Sequence, residues 1–178
     1  INAVIKKDVN DNQIFKLVDY ARKRSIEIRF IEYMDVGTSN NWMPSDVFFS
    51  ERIIRSLKSK YQLSDFGRKE GQTASRWYMR DSKSFISTIS SVSNPFCSDC
   101  NRLRITSDGY AYTCLFSSEG VNLKPWLSQP IDLYELENKI KSIWETRDDN
   151  YSENRIRILE KTINVNQKTH PSMSYLGG

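Results

Sequence analysis

The stretch NPFCSDCNRLRITSDGYAYTC, residues 94–114, holds all three cysteines of a 178-residue chain that has a single histidine. Cys97 and Cys100 stand in CxxC spacing, and thirteen residues separate Cys100 from Cys114. Between them lies Asp108-Gly109 flanked by alternating apolar residues, a strong hairpin signal. A hairpin would carry Cys114 back toward the CxxC pair, so that three thiolates surround one metal centre. Three readings compete. The cysteines are buried as small hydrophobes; or they hold a structural zinc, which wants a fourth ligand that only the distant His170 could supply; or they hold an iron–sulfur cluster through three thiolates. The third leaves one iron without a protein ligand, an open position of the kind that binds substrate in catalytic metal sites. An odd cysteine count with CxxC spacing also fits metal ligation in a reducing compartment better than a disulfide scaffold.

Arg102 and Arg104 lie between the thiols, two residues apart. On a strand both point to one face, with Leu103 and Ile105 on the other, toward a core. Alone, such a pair reads as a solvated strand face. Beside an open metal site it reads as a clamp for phosphate or carboxylate oxygens. Loop length separates the two cases. A two-residue turn at Asp108-Gly109 sets Cys114 opposite Leu103, away from the arginines. A three-residue loop, residues 107–109 with Gly109 left-handed, sets Cys114 opposite Arg102. A clamp and a metal centre that act together require the three-residue loop, which is therefore expected.

The elements that must position this segment are legible in outline. INAVIKK reads as a strand to about Lys6, and Ile14, Leu17, Val18 and Ala21 follow helical spacing in a helix ending near Arg24. Residues 26–34 read as a second strand, with Ile26, Ile28 and Phe30 on one face and Glu27, Arg29 and Ile31 on the other. Strand, helix and strand at this spacing make a βαβ unit with parallel strands. The polar loop of residues 35–41 follows, where α/β folds carry ligand sites. Pro44-Ser45-Asp46 opens a second helix, with Val47, Ile53, Ile54 and Leu57 as its apolar set. Residues 65–75 read as a loop, and RWYMR and SFISTISSV as antiparallel strands joined by DSKS. A final helix fits residues 132–147, with Asp132 as N-cap and Leu133, Leu136, Ile140, Ile143 and Trp144 on one stripe. The last thirty residues, polar and basic, read as loosely ordered.

Hydrophobic residues at 38% and aromatics at 12% indicate a folded protein. No apolar run approaches the ~18 residues of a membrane span. The net charge of +4 suits an anionic small molecule, and the longest run of like charge is Arg22-Lys23-Arg24, short of the basic stripe of a nucleic-acid binder. Ile1 is not Met, and the opening residues read as the middle of a strand, so the chain is expected to be the C-terminal part of something longer.

The motif NPFCSDCNRLRITSDGYAYTCLFS resembles the second-cluster motif of the GTP 3′,8-cyclases, radical-SAM enzymes that open molybdenum-cofactor biosynthesis. IEIRFIEYMDVG resembles their last barrel-strand motif, and Gly177-Gly178 their double-glycine tail. The likeness covers essentially the whole chain as the C-terminal half of such an enzyme. It implies an α/β fold: the last strands and helices of an incomplete (β/α) barrel in residues 1–60. A C-terminal domain with antiparallel strands, a 4Fe-4S site and GTP binding follows in residues 61–178. Residue by residue, it implies Cys97, Cys100 and Cys114 as cluster ligands and Arg102, Leu103 and Arg104 as GTP-binding. Met34 becomes a SAM contact, and Arg29, Gly177 and Gly178 become active-site residues. Glu27 and Glu32 are the candidate partners of the Arg29 charge. The family's SAM-cleaving 4Fe-4S cluster needs CxxxCxxC, which is absent from these 178 residues. The implied partners are therefore GTP, SAM and a missing N-terminal half, with homodimerisation compatible and neither membrane nor nucleic acid involved. The fragment alone is expected to be inactive, and its open barrel faces to be exposed and prone to association. The family's compartments are the bacterial cytoplasm and, in eukaryotes, the mitochondrion. The rival reading is a non-enzymatic zinc- or iron-binding module that recognises a nucleotide or nucleic acid.

Overall fold

The computed structural model describes residues 1–36, 41–149, 151–152, 154–155 and 171–176. It divides into two compact units: Ile1–Asp35 with Trp42–Cys100, and Val36–Asn41 with Asn101–Gly178. The fold is mixed α/β, with a five-stranded sheet in the first unit and a small antiparallel sheet in the second.

In the first unit, β1 (Asn2–Ile5), α1 (Ile14–Arg22) and β2 (Ile28–Glu32) form the expected βαβ unit with parallel strands. Helix α2 (Ser50–Lys58) follows, then β3 (Leu63–Gly67), β4 (Ser75–Met79) and β5 (Ser84–Ile89). The strand order is β1-β2-β5-β4-β3. β5 runs parallel to β2, and β4 and β3 return antiparallel. The pleat sorts the strand residues by parity. Ile5, Ile28, Phe30, Met79 and Ile86 pack with Ile14, Val18 and Ala21 of α1 and Ile53 and Leu57 of α2 in one buried core. The opposite face carries Arg29, Ser87 and Arg76 in one row, by the pairings Arg29↔Ser87 and Arg76↔Ser87. It also carries the clustered rings of Phe66, Tyr78 and Phe85, whose centroids lie 5.3–5.8 Å apart. Val4 and Phe66 are exposed.

Three expectations need correction here. Pro44–Asp46 is a single 3₁₀ turn, and α2 starts only at Ser50. Val47 is extended and bridges antiparallel to Lys6, which delays the helix. The stretch read as a loop holds the end of β3, residues 65–67, an edge strand with a register shift between Asp65 and Gly67. Asp, Gly and charge are poor strand formers but are tolerated on edges. Ile26 sits at the rim, more than one-third exposed, just before β2.

In the second unit β6 (Arg104–Ile105), β7 (Tyr110–Tyr112) and β8 (Val121–Asn122) form the antiparallel sheet. The short helix α3 (Lys124–Leu127) and then α4 (Leu133–Glu145) follow. Asp132 caps α4 as expected, accepting the N–H groups of Tyr134 and Glu135 at 2.9 and 3.1 Å. Among the described residues one core cluster holds Ala111, Leu123 and Ile143, with Leu103 packed against it. Leu133 is three-quarters exposed and Ile105 half exposed, so neither joins the core assigned to it from spacing.

Candidate functional site

The first unit carries Cys97 and Cys100 on one tight turn. Cys97–Asp99 is a 3₁₀ turn, and the Cys100 N–H donates to the Cys97 carbonyl at 3.2 Å. Both thiols are half-buried. The carboxylate between them, Asp99, accepts the Gly71 N–H at 2.9 Å and an Arg68 guanidinium N–H at 2.5 Å. Arg68 also donates to the Gln72 carbonyl at 2.9 Å and lies 5.8 Å from the ring of Phe96.

The segment leading into that turn is held by Glu32 at the end of β2. Glu32 is fully buried on the same pleat face as Ile28 and Phe30. One carboxylate oxygen accepts the Ser50 N–H at 2.8 Å and the Ser93 hydroxyl at 2.5 Å. The other accepts the N–H groups of Val92 and Ser93 at 2.9 and 2.8 Å. The carboxylate thus satisfies an otherwise orphaned donor at the start of α2, where negative charge is favourable. It also ties the end of β2 to the chain after β5.

Glu32 is therefore not the partner of Arg29, because alternation puts the two on opposite faces. Glu27 takes that role, 3.6 Å from the Arg29 guanidinium. Glu27 also accepts from Ser87 at 2.5 Å and from Arg76 at 2.8 Å. Burial alone would raise its pKa, but the Ser87 hydroxyl and the Arg76 and Arg29 charges outweigh that and hold it below the ordinary value. Arg29 is exposed, and Met34, two residues past β2, is half-buried.

The second unit carries the arginines and Cys114 on the β6–β7 hairpin. The pairs are Arg104↔Tyr112 and Ile105↔Ala111. The Gly109 N–H bonds the Thr106 carbonyl at 2.9 Å, the Thr106 N–H bonds the Tyr110 carbonyl at 2.9 Å, and Gly109 has φ +83°. This is the three-residue loop with a left-handed glycine that a shared face requires. The ladder ends at Arg104↔Tyr112; Arg102 precedes β6 and Cys114 lies in a bend after β7, so their expected pairing falls outside the sheet. Arg102 and Arg104 are half-buried, while Leu103 turns its side chain to the core. The Cys114 sulfur accepts the Phe116 N–H at 3.4 Å.

Two further features share this hairpin. Tyr112, opposite Arg104, is buried against Gly120, where an added Cβ would sit 2.5 Å from the ring, so only glycine fits. The ring of Tyr175 meets that of Tyr112 edge-on at 6.3 Å, and the Tyr175 hydroxyl donates to both Asp108 carboxylate oxygens at 3.0 and 3.1 Å. A hydrogen bond from Thr106, and to a lesser degree the one from Tyr175, holds the Asp108 carboxyl below its ordinary value. Leu176 is buried. Tyr175 therefore contacts the hairpin; most of the tail read as loosely ordered lies outside the described residues. Gly177, Gly178 and His170 lie outside the described residues.

The structure brings Cys97 with Cys100, and places Arg102 and Arg104 with Cys114 on one hairpin, in separate units. Among the described residues no group of three His, Cys, Asp or Glu side chains is gathered to hold a metal. Thiols are the donors that an iron–sulfur cluster takes; Cys97 and Cys100 share one turn of the first unit, and the Cys114 sulfur in the second accepts a backbone N–H. The sequence reading gave Glu32 a different role, as a partner of Arg29, and missed Asp99 with Arg68 and the Tyr175–Asp108 pair. Only Glu32 left a signal, an acid at the core parity of an apolar strand.

No described helix is long and apolar enough to cross a membrane. Residues 26–153 match the family model Molybdenum Cofactor Synthesis C. The chain is 43% identical over 178 residues to a GTP 3′,8-cyclase of Synechococcus sp. (strain CC9605), covering 100% of this chain and 49% of the relative. It is 42% identical over 178 residues to that of Synechococcus sp. (strain CC9902), covering 100% and 50%. Against the enzyme of Staphylococcus epidermidis (strain ATCC 12228 / FDA PCI 1200) it is 39% identical over 180 residues, covering 100% and 52%. The chain spans about half the length of these relatives. On the family match, which runs through both the cysteine turn and the arginine hairpin, the chain belongs to the Molybdenum Cofactor Synthesis C family.

Proposed function

We propose that this chain is the GTP-binding and second-cluster-binding part of a GTP 3′,8-cyclase. The whole enzyme converts GTP to 3′,8-cyclo-7,8-dihydro-GTP with SAM-derived radical chemistry in molybdenum-cofactor biosynthesis. On this reading residues 1–60 are the closing part of the (β/α) barrel and residues 61–178 carry the cluster and the nucleotide, a division by function. Cys97, Cys100 and Cys114 hold a 4Fe-4S cluster, which when bound supplies an open iron for the purine. Arg102 and Arg104 bind the triphosphate through charge-assisted hydrogen bonds. Leu103 contributes through its main chain, since its side chain faces the core. Arg29, Gly177 and Gly178 act on the reacting nucleotide, and Met34 contacts SAM. The SAM-cleaving cluster belongs to the other half of the enzyme, and the compartment is the bacterial cytoplasm.

The observation that carries this reading is the hairpin register. The loop of residues 107–109 puts Arg104 opposite Tyr112, the register in which Arg102 and Cys114 would be the next pair on the same face. Two measurements test it. Anaerobic reconstitution is expected to load about four iron and four sulfide on this chain; stoichiometric zinc without iron would favour the recognition-module reading. The Arg102→Ala, Arg104→Ala double variant is expected to lose at least about tenfold in GTP affinity, the worth of one charge-assisted hydrogen bond. Unchanged affinity removes both arginines from the site.

A further inference from the structure

Asp99 occupies the position between the two cysteines where a carboxylate could compete as a ligand, and the structure turns it away. Its Oδ1 accepts the Gly71 N–H at 2.9 Å and its Oδ2 accepts from Arg68 at 2.5 Å. Both partners lie in the loop between β3 and β4, where Gly71 has φ +69°. Arg68 is held in turn by the Gln72 carbonyl, and its guanidinium lies near Phe96, the residue before Cys97. The Arg68 and Asp99 side chains are 31% and 25% exposed, so the pair is shielded more than a surface ion pair. The entry to the same segment is fixed independently, by Glu32 on Val92 and Ser93.

We propose that Arg68, Asp99 and the Gly71 N–H form a brace that preorders the CxxC turn for its ligand, with Arg68 and Asp99 as positioning residues. The brace sets the turn from the sheet side before any cofactor arrives, so less ordering remains to be done on binding. Both carboxylate oxygens accept hydrogen bonds from that loop. The brace stands on the hydrogen bonds of Asp99; its value to a cluster rests on the function proposed above.

The test uses the full chain and reads each cysteine separately. In the cofactor-free protein, iodoacetamide labelling of Cys97, Cys100 and Cys114 is followed by mass spectrometry in wild type, Asp99→Ala and Asp99→Asn. Asp99→Ala is expected to speed labelling of Cys97 and Cys100 several-fold and leave Cys114 unchanged. Asp99→Asn, which keeps an acceptor for Gly71, is expected to fall between. In reconstituted protein, Asp99→Ala is expected to lose iron to a chelator about tenfold more readily, the usual cost of removing a group that orients ligands. Equal labelling in all three proteins, or a uniform rise at all three cysteines, overturns the brace. A wild type that takes up no iron while Asp99→Ala still exposes Cys97 and Cys100 overturns the cluster reading and leaves the brace standing.

Discussion

The two units are held together by different physics. The sheet unit has a buried core from all but one of its strands and from both helices, with Phe30, Ile53, Leu57 and Ile86 at zero exposure. Among its described residues the hairpin unit gathers Ala111, Leu123 and Ile143 in one cluster and buries Tyr112, Phe116 and Leu176 besides. It relies on turns and polar contacts: the left-handed Gly109, the Asp132 cap, and Tyr175 on Asp108. Apolar burial is non-directional and tolerates small errors. A turn is specified by one or two residues and fails when they change. The contrast suits the proposed roles, since the hairpin must present Arg102 and Arg104 in a fixed register, which turn residues specify.

The strongest way to break the comparison is in the sheet unit. Phe30→Ala empties the centre of the core and is expected to cost about 3–5 kcal/mol, by the cavity and transfer terms together. Chemical denaturation should show one cooperative loss of the sheet unit. If Phe30→Ala costs under about 1 kcal/mol, the core does not dominate that unit.

Glu32→Gln should come next. The carboxylate accepts four hydrogen bonds with its two oxygens. An amide replaces one acceptor with a donor, and each side faces at least one backbone N–H that cannot turn away. The expected cost is about 2–3 kcal/mol, that of one or two buried donors left unmatched. The amides of Ser50, Val92 and Ser93 should exchange faster even where the sheet remains folded. Unchanged exchange there would mean that the carboxylate is not what ties β2 to the cysteine-bearing segment.

How much of this was legible in the sequence follows the same divide. The βαβ unit was readable because Ile14, Leu17, Val18 and Ala21 keep one period and Ile28 and Phe30 another. β3 was not, because an edge strand need not satisfy strand propensity. The hairpin loop was readable from Asp108-Gly109 together with the demand that Cys114 share the face of the arginines. Asp99 and Arg68 were not, since their contact joins residues 31 positions apart through polar atoms that leave no period. Tyr175 on Asp108 spans 67 positions and was hidden for the same reason.

Gly109→Ala sharpens the contrast from the other side. The φ of +83° is costly for alanine, by about 1–2 kcal/mol. The added methyl would meet only the flexible Lys124 side chain at 3.3 Å and Leu127 at 3.6 Å, so backbone strain dominates over crowding. A small global cost is expected together with a clear local one. If the loop changes length to escape the strain, the arginines change face and GTP affinity falls more than stability does. A variant with full GTP affinity and an intact hairpin would show that register is set by the β7–β8 pairing and not by the turn.

The smallest effect is the pH response of Glu27. Its pKa is held below the ordinary value because the Ser87 hydroxyl and the Arg76 and Arg29 guanidinium groups favour the anion more than burial penalises it. A depressed pKa contributes stability that is fully present above the unfolded-state value, about 4.3, and is lost as the pH falls through the lower folded-state value. Glu27→Gln should therefore be less stable than wild type at neutral pH, by under about 1 kcal/mol. The gap should close as the pH drops below about 4. The hairpin unit offers the control: Asp108 is also depressed, by Thr106 and Tyr175, but it is exposed at a loop tip. Screening there should leave Asp108→Asn with a weaker acid response, seen locally at Tyr175. If Asp108→Asn changes the acid response of the whole chain more than Glu27→Gln does, polar contacts in the hairpin unit carry more of the stability than its core cluster suggests.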